Sequence, residues 1–214
     1  MEQAYMVDRA EYTGLVLAGG QGTRMQAVPG ERAEKGLAPL RGEPLVAHAC
    51  RALAPQVGQL MISANRCLKQ YAAYAPVLPD DPSLGVGLGP LAGIERGLVH
   101  AGTPWLAVTP VDVLNIPNDM VARLAMAARR AGTLAAYALY ARDDVRDGHR
   151  AHPLCAVLHA SLAPNLRVWL QGGDRKVLLW MAHAGAVPVV FEGEGVFVNI
   201  NTPQDLERAA LGEK

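Results

Sequence analysis

A glycine-rich segment near the N-terminus carries the strongest chemical signal of this sequence. An apolar run is followed by Gly19, Gly20 and Gly22, and then by Arg24. Glycines leave backbone N–H groups open to an anion, and a nearby arginine adds positive charge. The spacing therefore predicts a phosphate-binding loop, although an ordinary glycine-rich turn would have the same composition.

Two common nucleotide-binding motifs do not describe this segment. A Walker A loop requires Gly-Lys-Ser/Thr, whereas Lys35 precedes Gly36 and that triplet does not occur in the sequence. A dinucleotide-binding G-x-G-x-x-G requires a third glycine where Met25 stands. Residues 85–90, G-V-G-L-G-P, fail the same requirement because Pro90 occupies that position. Both motifs are therefore excluded.

Two aspartates follow apolar runs, where strands are expected to end. Asp112 follows residues 105–109, and Asp80 follows residues 75–78. A carboxylate at the carboxyl end of a strand suits Mg²⁺, although a lone aspartate there more often caps a helix or forms a turn. Lys35, taken alone, would be a solvated surface lysine.

Polar residues of the second half offer further candidate contacts. Asn199 and Asn201 alternate on a short predicted strand, so both side chains can face the same side. Thr202, which precedes a proline, is typical of a helix start. The histidines show no metal-ligand spacing, and His152 lies at the exit of residues 141–151, a polar segment that predicts a mobile loop.

The elements that position these residues alternate between strand and helix. Short apolar runs between segments of helical period are typical of β-α-β units, and predict a three-layer α/β/α fold with a mostly parallel sheet. The predicted strands are residues 14–18, 58–63, 105–109, 133–140, 154–158 and 187–190. The predicted helices are residues 44–53, 90–100, 118–131, 162–171, 175–184 and 203–211.

Proline positions and sheet chemistry indicate where helices begin and where ligands bind. Pro44, Pro90 and Pro203 each fit the first turn of a helix, where the missing N–H would have no partner. Ligands of open α/β sheets bind beyond the carboxyl ends of strands. The loops at residues 19–36 and 79–93 are therefore the predicted functional loops.

Length and composition predict one substantial core in a soluble protein. The chain has 214 residues, of which 50% are hydrophobic, and its 20 basic residues balance 20 acidic ones. This balance argues against nucleic acid or an anionic membrane as a partner. The sequence contains no secretory signal and no segment that could span a bilayer, which predicts a cytoplasmic location. Cys50, Cys67 and Cys155 are widely spaced, and predict reduced thiols.

Several short motifs of this sequence, taken in order along the chain, resemble those of molybdenum cofactor guanylyltransferases, the MobA family of nucleotidyltransferases. The first is L-A-G-G-Q-G-T-R-M at residues 17–25, followed by K-G-L at residues 35–37. The other matching segments are residues 42–45, 64–66, 80, 89–93, 110–112, 152–153 and 199–203. The resemblance implies one Rossmann-like nucleotidyltransferase domain over residues 1–214, with a nucleotide half at about 10–115 and an acceptor half at about 116–214.

The activity that this resemblance implies is transfer of GMP from GTP to the terminal phosphate of molybdopterin, with release of pyrophosphate. The attacking phosphate oxygen is already anionic, so catalysis would depend on positioning, on cations and on Mg²⁺ or Mn²⁺ more than on a general base. The implied partners are GTP and molybdopterin, together with molybdoenzymes or other cofactor-biosynthesis proteins.

The resemblance also implies a role for each matching residue. The implied nucleotide-binding residues are Leu17, Ala18, Gly19, Gly20, Gly22, Lys35, Asp80 and Asp112. Arg24, Lys35 and Asp112 are the implied catalytic residues, with Asp112 as the metal ligand and Asp80 on the guanine base. The implied acceptor contacts are His152, Asn199 and Asn201.

This sequence departs from the family pattern near two of these residues. Residues 26–34 lengthen the connection before Lys35, and Glu34 replaces an aspartate. The residues after Asp112 lack the hydroxyl and the proline of the family. Two alternatives therefore stay open: a related transferase that uses CTP or a sugar-phosphate acceptor, and a non-catalytic carrier of molybdopterin.

Overall fold

The computed structural model describes residues 7–19, 34–141 and 148–212. Its strands are β1 (Tyr12–Leu17), β2 (Pro39–Leu40), β3 (Glu43–Pro44), β4 (Gln59–Ser63), β5 (Val77–Leu78), β6 (Trp105–Pro110), β7 (Val113–Leu114), β8 (Ala135–Ala141), β9 (His149–His159), β10 (Val187–Phe191) and β11 (Val198–Asn199). Its α-helices are α1 (Leu45–Leu53), α2 (Leu68–Tyr71), α3 (Pro90–His100), α4 (Met120–Ala131), α5 (Ala163–Gln171), α6 (Val177–His183) and α7 (Pro203–Leu211).

A seven-stranded sheet in the order β10-β8-β9-β6-β1-β4-β5 forms the middle layer. Strand β1 is parallel to both of its neighbours, β4 and β6, and β4–β5 and β10–β8 are parallel pairs as well. Strand β9 is antiparallel to both β6 and β8. The predicted mostly parallel sheet is confirmed, with β9 as its antiparallel member.

Helices cover both faces of this sheet because the central strands are apolar on both sides. Tyr12 and Val16 of β1 pack in a core with α1 and α4, whereas Leu15 and Leu17 pack in a second core with α3, α5 and α6. All residues of β1 are buried, as expected for a central parallel strand. The predicted three-layer arrangement is therefore confirmed. Among the described residues, no helix has the length and apolar character needed to cross a membrane.

Strand β9 begins five residues earlier than predicted, at His149 instead of residue 154. The prediction of a loop was wrong for residues 149–151, and His152 also lies within the strand. These residues pair with β8, where Ala138 lies opposite His152 after a register shift. The pairing satisfies backbone N–H and C=O groups whatever the polarity of the side chains. Residues 142–147 lie outside the described part of the chain.

The proline predictions are confirmed at two of three helices. Pro90 and Pro203 occupy the first positions of α3 and α7. Pro44 instead ends β3 and caps α1, in an extended conformation. Proline fits both positions, because neither requires a backbone N–H.

Gly93 brings α3 into close contact with the sheet. A Cβ atom at this position would lie 2.2 Å from Ser63 Oγ and 3.1 Å from Leu17 Cδ2. We therefore expect Gly93→Ala to lower the free energy of unfolding by about 1–3 kcal/mol through overpacking, as measured by urea denaturation. The double variant Gly93→Ala/Ser63→Ala removes the nearest atom, and should recover part of the loss. Equal destabilisation of both variants would contradict this explanation.

Candidate active site

Three side chains that are distant in sequence meet at the carboxyl ends of the parallel strands. Lys35 Nζ donates a hydrogen bond to Asp112 Oδ2 at 2.7 Å and another to Asn201 Oδ1 at 3.3 Å. The Lys35 side chain is 16% exposed and the Asp112 side chain 29% exposed, so a ligand can reach both. The structure thus brings together three residues that the sequence analysis had placed in the site.

The position of Asp112 is determined by backbone hydrogen bonds on both sides of it. Val111 N–H donates to the Leu17 carbonyl at 3.0 Å, which joins this segment to the end of β1. Ile200 N–H donates to the Asp112 carbonyl at 2.8 Å, next to the antiparallel pairing of β7 with β11. Asp112 therefore lies between the start of the glycine-rich segment and the segment that carries Asn201.

Lys35 is positioned by the residues on either side of it. Glu34 accepts a hydrogen bond from the Tyr71 hydroxyl at 3.0 Å and forms a 2.9 Å ion pair with Arg66. Burial and the Glu34 carboxylate raise the pKa of Tyr71 far above its usual value, which keeps the hydroxyl protonated as a donor. A Cβ atom on Gly36 would lie 2.4 Å from Tyr71 Oη, so any larger residue there would displace the Tyr71 ring. The glutamate that departs from the family pattern thus anchors Lys35.

Asn201 is positioned by the first turn of α7. The Asp205 carboxylate accepts hydrogen bonds from the backbone N–H groups of Asn201 and Thr202, both at 2.9 Å. Thr202 Oγ1 in turn accepts from Asp205 N–H, which completes a capping box and confirms the predicted helix start. Hydrogen bonding to the Asn201 backbone, together with that to Thr202, lowers the pKa of Asp205 below its usual value.

Asn65 lies near Gly19 and is hydrogen-bonded to Asp80. Its side-chain NH₂ donates to Asp80 Oδ2, and its Oδ1 accepts from Asp80 N–H, both at 2.8 Å. A Cβ atom on Gly19 would lie 3.9 Å from Asn65 Nδ2. No role for Asn65 was predicted from the sequence, although it belongs to the A-N-R motif at residues 64–66.

The start of the glycine-rich segment continues the hydrogen bonding of β1. Ala18 N–H donates to the Ser63 carbonyl at 2.9 Å, and the Leu17 carbonyl accepts from Val111 N–H. Leu17 and Ala18 are buried, whereas Gly19 is exposed. Among the predicted site residues, Gly20, Gly22 and Arg24 lie outside the described residues.

A cleft of about 1020 Å³ adjoins the Lys35–Asp112–Asn201 cluster and shares Asn201 with it. All three predicted acceptor residues, His152, Asn199 and Asn201, line this cleft. Its basic lining residues, which the sequence analysis did not identify, are Arg41, His48, Arg51, Arg150 and Arg208. Single arginines on separate elements and in a turn form no motif, so only the fold could reveal that they share a surface.

His152 is a buried, neutral member of the cleft wall. It is 6% exposed, and its ring stacks on the Phe197 ring with centroids 5.2 Å apart. Within the described residues, His152 Nε2 is buried and has no hydrogen-bond partner. Burial and the positive charge of Arg150 lower the pKa of His152 to about 4, although the Asp112 carboxylate opposes this shift. At neutral pH the imidazole is therefore uncharged.

The depressed pKa of His152 makes the stability of the protein depend on pH. Histidine in an unfolded chain titrates near pH 6.5, so between pH 6.5 and about 4 the unfolded state binds the proton and the folded state does not. The stabilisation is complete above pH 6.5, and falls as the pH is lowered to about 4. Between pH 7 and pH 4.5, the free energy of unfolding should fall by up to about 3 kcal/mol less in His152→Gln than in the unmodified protein, as measured by urea denaturation. The same change with pH in both proteins would contradict this assignment.

The donor groups of the cluster fit a divalent cation that arrives with a phosphate ligand. Mg²⁺ is usually bound by one or two carboxylates together with phosphate oxygens and water. Asp112 Oδ2 already accepts a cationic group, the Lys35 ammonium, and Asn201 adds an amide oxygen. In the part of the chain that the structure describes, no group of three or more His, Cys, Asp or Glu side chains could hold a metal ion by itself.

The mostly parallel sheet with helices on both faces is the fold of nucleotidyltransferases, and the candidate site lies at the carboxyl ends of its strands. The family described as MobA-like NTP transferase domain matches residues 14–186, and the chain belongs to this family. The resemblance predicted from the ordered motifs is therefore confirmed.

Known relatives match nearly the whole chain. The molybdenum cofactor guanylyltransferase of Ralstonia nicotianae is 38% identical over 208 residues, which cover 96% of this chain and 98% of the relative. That of Acidovorax ebreus is 41% identical over 209 residues, covering 94% of this chain and 96% of the relative. The crystal structure of molybdopterin-guanine dinucleotide biosynthesis protein A from Archaeoglobus fulgidus matches with a TM-score of 0.68 and 25% identity, over 93% of this chain and 97% of that chain.

The fold is also shared with more distant proteins. The inositol-1-phosphate CTP transferase from T. maritima has a TM-score of 0.70 at 14% identity, over 97% of this chain and 99% of that chain. Similarity at this level of identity concerns the fold alone.

Proposed function

We propose that this chain transfers GMP from GTP to the phosphate of molybdopterin, releases pyrophosphate and so forms a guanine dinucleotide cofactor. The observation that carries the proposal is the Lys35–Asp112–Asn201 cluster, which is joined to the end of β1 on one side and to the basic cleft on the other. The names of the relatives support both the nucleotide and the acceptor.

The nucleotide would bind at the end of β1, in the half of the chain at about residues 10–115. The exposed backbone of Gly19 is open to it, and Asp80, oriented by Asn65, offers a carboxylate to the ring N1–H and the exocyclic amino group of guanine. Lys35 provides positive charge for the phosphates. Backbone contacts from Leu17 and Ala18 remain part of the proposal, as does phosphate binding by Gly20, Gly22 and Arg24.

The acceptor would bind in the cleft, in the half at about residues 116–214. The negatively charged phosphate of the acceptor is repelled by the triphosphate of GTP, so positively charged groups are needed around it. Arginines line this cleft, and Asn199, Asn201 and the neutral His152 add groups that hydrogen-bond without charge. The product would pass to molybdoenzymes or to other cofactor-biosynthesis proteins.

The reaction requires the attacking oxygen of the acceptor phosphate to lie opposite the leaving pyrophosphate, in line with the α-phosphorus of GTP. An oxygen of the acceptor phosphate forms a bond to the α-phosphorus of GTP, while the bond from that phosphorus to the bridging oxygen breaks and pyrophosphate leaves with the electron pair. Lys35 offsets the charge that develops, and Asp112 with Asn201 would hold Mg²⁺ or Mn²⁺. A bound cation of this kind neutralises charge on the triphosphate and on the leaving group.

Purified protein incubated with molybdopterin, Mg²⁺ and each of GTP, CTP, UTP and ATP tests the proposal. We expect pyrophosphate and a guanine dinucleotide product with GTP, and neither without the acceptor. A preference for CTP would contradict the proposed nucleotide, and turnover with a sugar phosphate in place of molybdopterin would contradict the proposed acceptor. Binding of GTP and molybdopterin without pyrophosphate release would instead indicate a non-catalytic carrier.

A further inference from the structure

Arg167 of α5 connects three separate parts of the fold through one guanidinium group. It donates to Asp81 Oδ2 at 2.9 Å, to Ser83 Oγ at 2.9 Å and to Glu95 Oε1 at 2.7 Å. Asp81 and Ser83 belong to residues 81–89, here called the 81–89 loop, and Glu95 belongs to α3. A single side chain therefore attaches this loop to both α3 and α5.

The ion pair between Arg167 and Glu95 contributes little to stability, because burial of the Glu95 carboxylate carries a desolvation cost. Glu95 is 1% exposed, and an isolated buried carboxylate is strongly destabilising. Apolar residues of similar volume would usually stabilise such a position at least as well as a buried ion pair. Arginine suits the site because its rigid planar fork holds two nitrogens apart, so that Nη1 reaches Glu95 while Nη2 reaches Asp81 and Ser83. These contacts are therefore better explained by positioning than by stability.

The 81–89 loop lies where the nucleotide is expected. It follows the carboxyl end of β5, as Gly19 follows the carboxyl end of the parallel strand β1, and it leads into the first turn of α3. Asp80, which precedes the loop, is held on its other side by both hydrogen bonds to Asn65. Hydrogen bonds from Ser83 and from Arg167 lower the pKa of Asp81 to about 2, so its carboxylate stays ionised.

Pro82–Leu84 of the loop form a 3₁₀ turn that Asp81 caps, whereas the glycine-rich remainder has little intrinsic rigidity. Gly85, Gly87 and Gly89 all have positive φ angles, and the intervening Val86 is 92% exposed. A loop with this composition adopts one conformation only if other parts of the protein hold it. Arg167 does so at the first part of the loop, and Arg175 donates to the Gly87 carbonyl at 2.9 Å further along.

We propose that Arg167 is a positioning residue for the nucleotide, which holds the 81–89 loop so that Asp80 faces the guanine base. This inference rests on the proposed function. It concerns binding of the nucleotide and not the chemical step, so removal of Arg167 should weaken GTP binding and leave both acceptor binding and turnover at saturating GTP nearly unchanged.

Three variants separate positioning from stability. Arg167→Leu breaks all three contacts but leaves Glu95 buried without a partner. Arg167→Leu/Glu95→Leu removes that buried charge as well, and should recover most of the lost thermal stability. Glu11→Gln breaks an exposed ion pair with Arg129 on α4, away from the nucleotide end of the sheet, and serves as the matched control.

Calorimetric titration with MgGTP, steady-state kinetics and hydrogen exchange of the 81–89 amides are the measurements. We expect the Kd and the KM for GTP to rise roughly tenfold in both the single and the double variant, with kcat and the KM for molybdopterin within about twofold of the unmodified protein. Exchange of the 81–89 amides should accelerate in both variants, and Glu11→Gln should change none of these quantities.

Two results would overturn the inference in distinguishable ways. If the double variant recovers normal GTP binding together with its thermal stability, the arginine only stabilises the fold and the proposed function is unaffected. If the unmodified protein binds no nucleoside triphosphate, the proposed function fails and the inference fails with it.

Discussion

Asp112→Ala protein is expected to fold and to bind GTP but to lose about a thousandfold in kcat. The carboxylate is the candidate metal ligand at the carboxyl end of β6, and stabilisation of developing charge by such groups is commonly worth this much. The free energy of unfolding should change by no more than about 1 kcal/mol, because the ion pair with Lys35 is partly exposed. Pyrophosphate release at saturating GTP and molybdopterin, together with thermal denaturation, measures both effects.

Asp112→Asn is the matched control for this result. The amide keeps the volume and the neighbouring backbone hydrogen bonds but lacks the negative charge that attracts a cation. We expect its activity to be nearly as low as that of Asp112→Ala, with almost normal stability. A large fall in the melting temperature together with retained activity would show that Asp112 has a structural role.

Lys35→Ala should reduce kcat/KM for GTP by a hundredfold or more. Its ammonium is the cation that contacts both Asp112 and Asn201, so it lies where a triphosphate and its metal would meet. Lys35→Arg should restore only part of the activity, because a planar guanidinium does not replace a compact ammonium at a contact between two oxygens. Steady-state kinetics with varied GTP at saturating molybdopterin gives the comparison.

The two residues are expected to act as a unit. Lys35→Ala/Asp112→Ala protein should therefore be scarcely less active than the worse of the two single variants, because groups that serve the same step are not additive. Losses that multiply would instead mean that Lys35 and Asp112 serve independent functions, and would argue against a shared phosphate and metal site.

Lys35, which follows a longer connection than in the family pattern, is positioned by contacts of the residue before it. Glu34, which replaces the aspartate of the family pattern, accepts a hydrogen bond from the buried Tyr71 and pairs with Arg66. Arg66 belongs to the A-N-R motif, whose Asn65 holds Asp80. One short motif thus supports both the phosphate side and the base side of the candidate nucleotide site.

The polar start of β9 shows why periodicity missed part of the fold. His149, Arg150 and His152 have no alternating apolar pattern, so the sequence predicted a loop over residues 149–151. In the structure they pair with β8, and both Arg150 and His152 line the cleft. A strand that faces a ligand cleft does not need apolar side chains, so it gives no hydrophobic signal.

The layer architecture, the family and most of the candidate site residues could be predicted from the amino-acid sequence alone. Apolar runs and proline positions depend on local physics, and ordered motifs preserve residue types, so both can be read without a structure. The contacts of Lys35 with Asp112, 77 residues away, and with Asn201, 166 residues away, could be found only in the folded chain. The same is true of the scattered arginines that line one cleft and of the contacts between Arg167 and the 81–89 loop. These contacts depend on the order of strands in the sheet, which brings distant loops to one edge and leaves no trace in the local sequence.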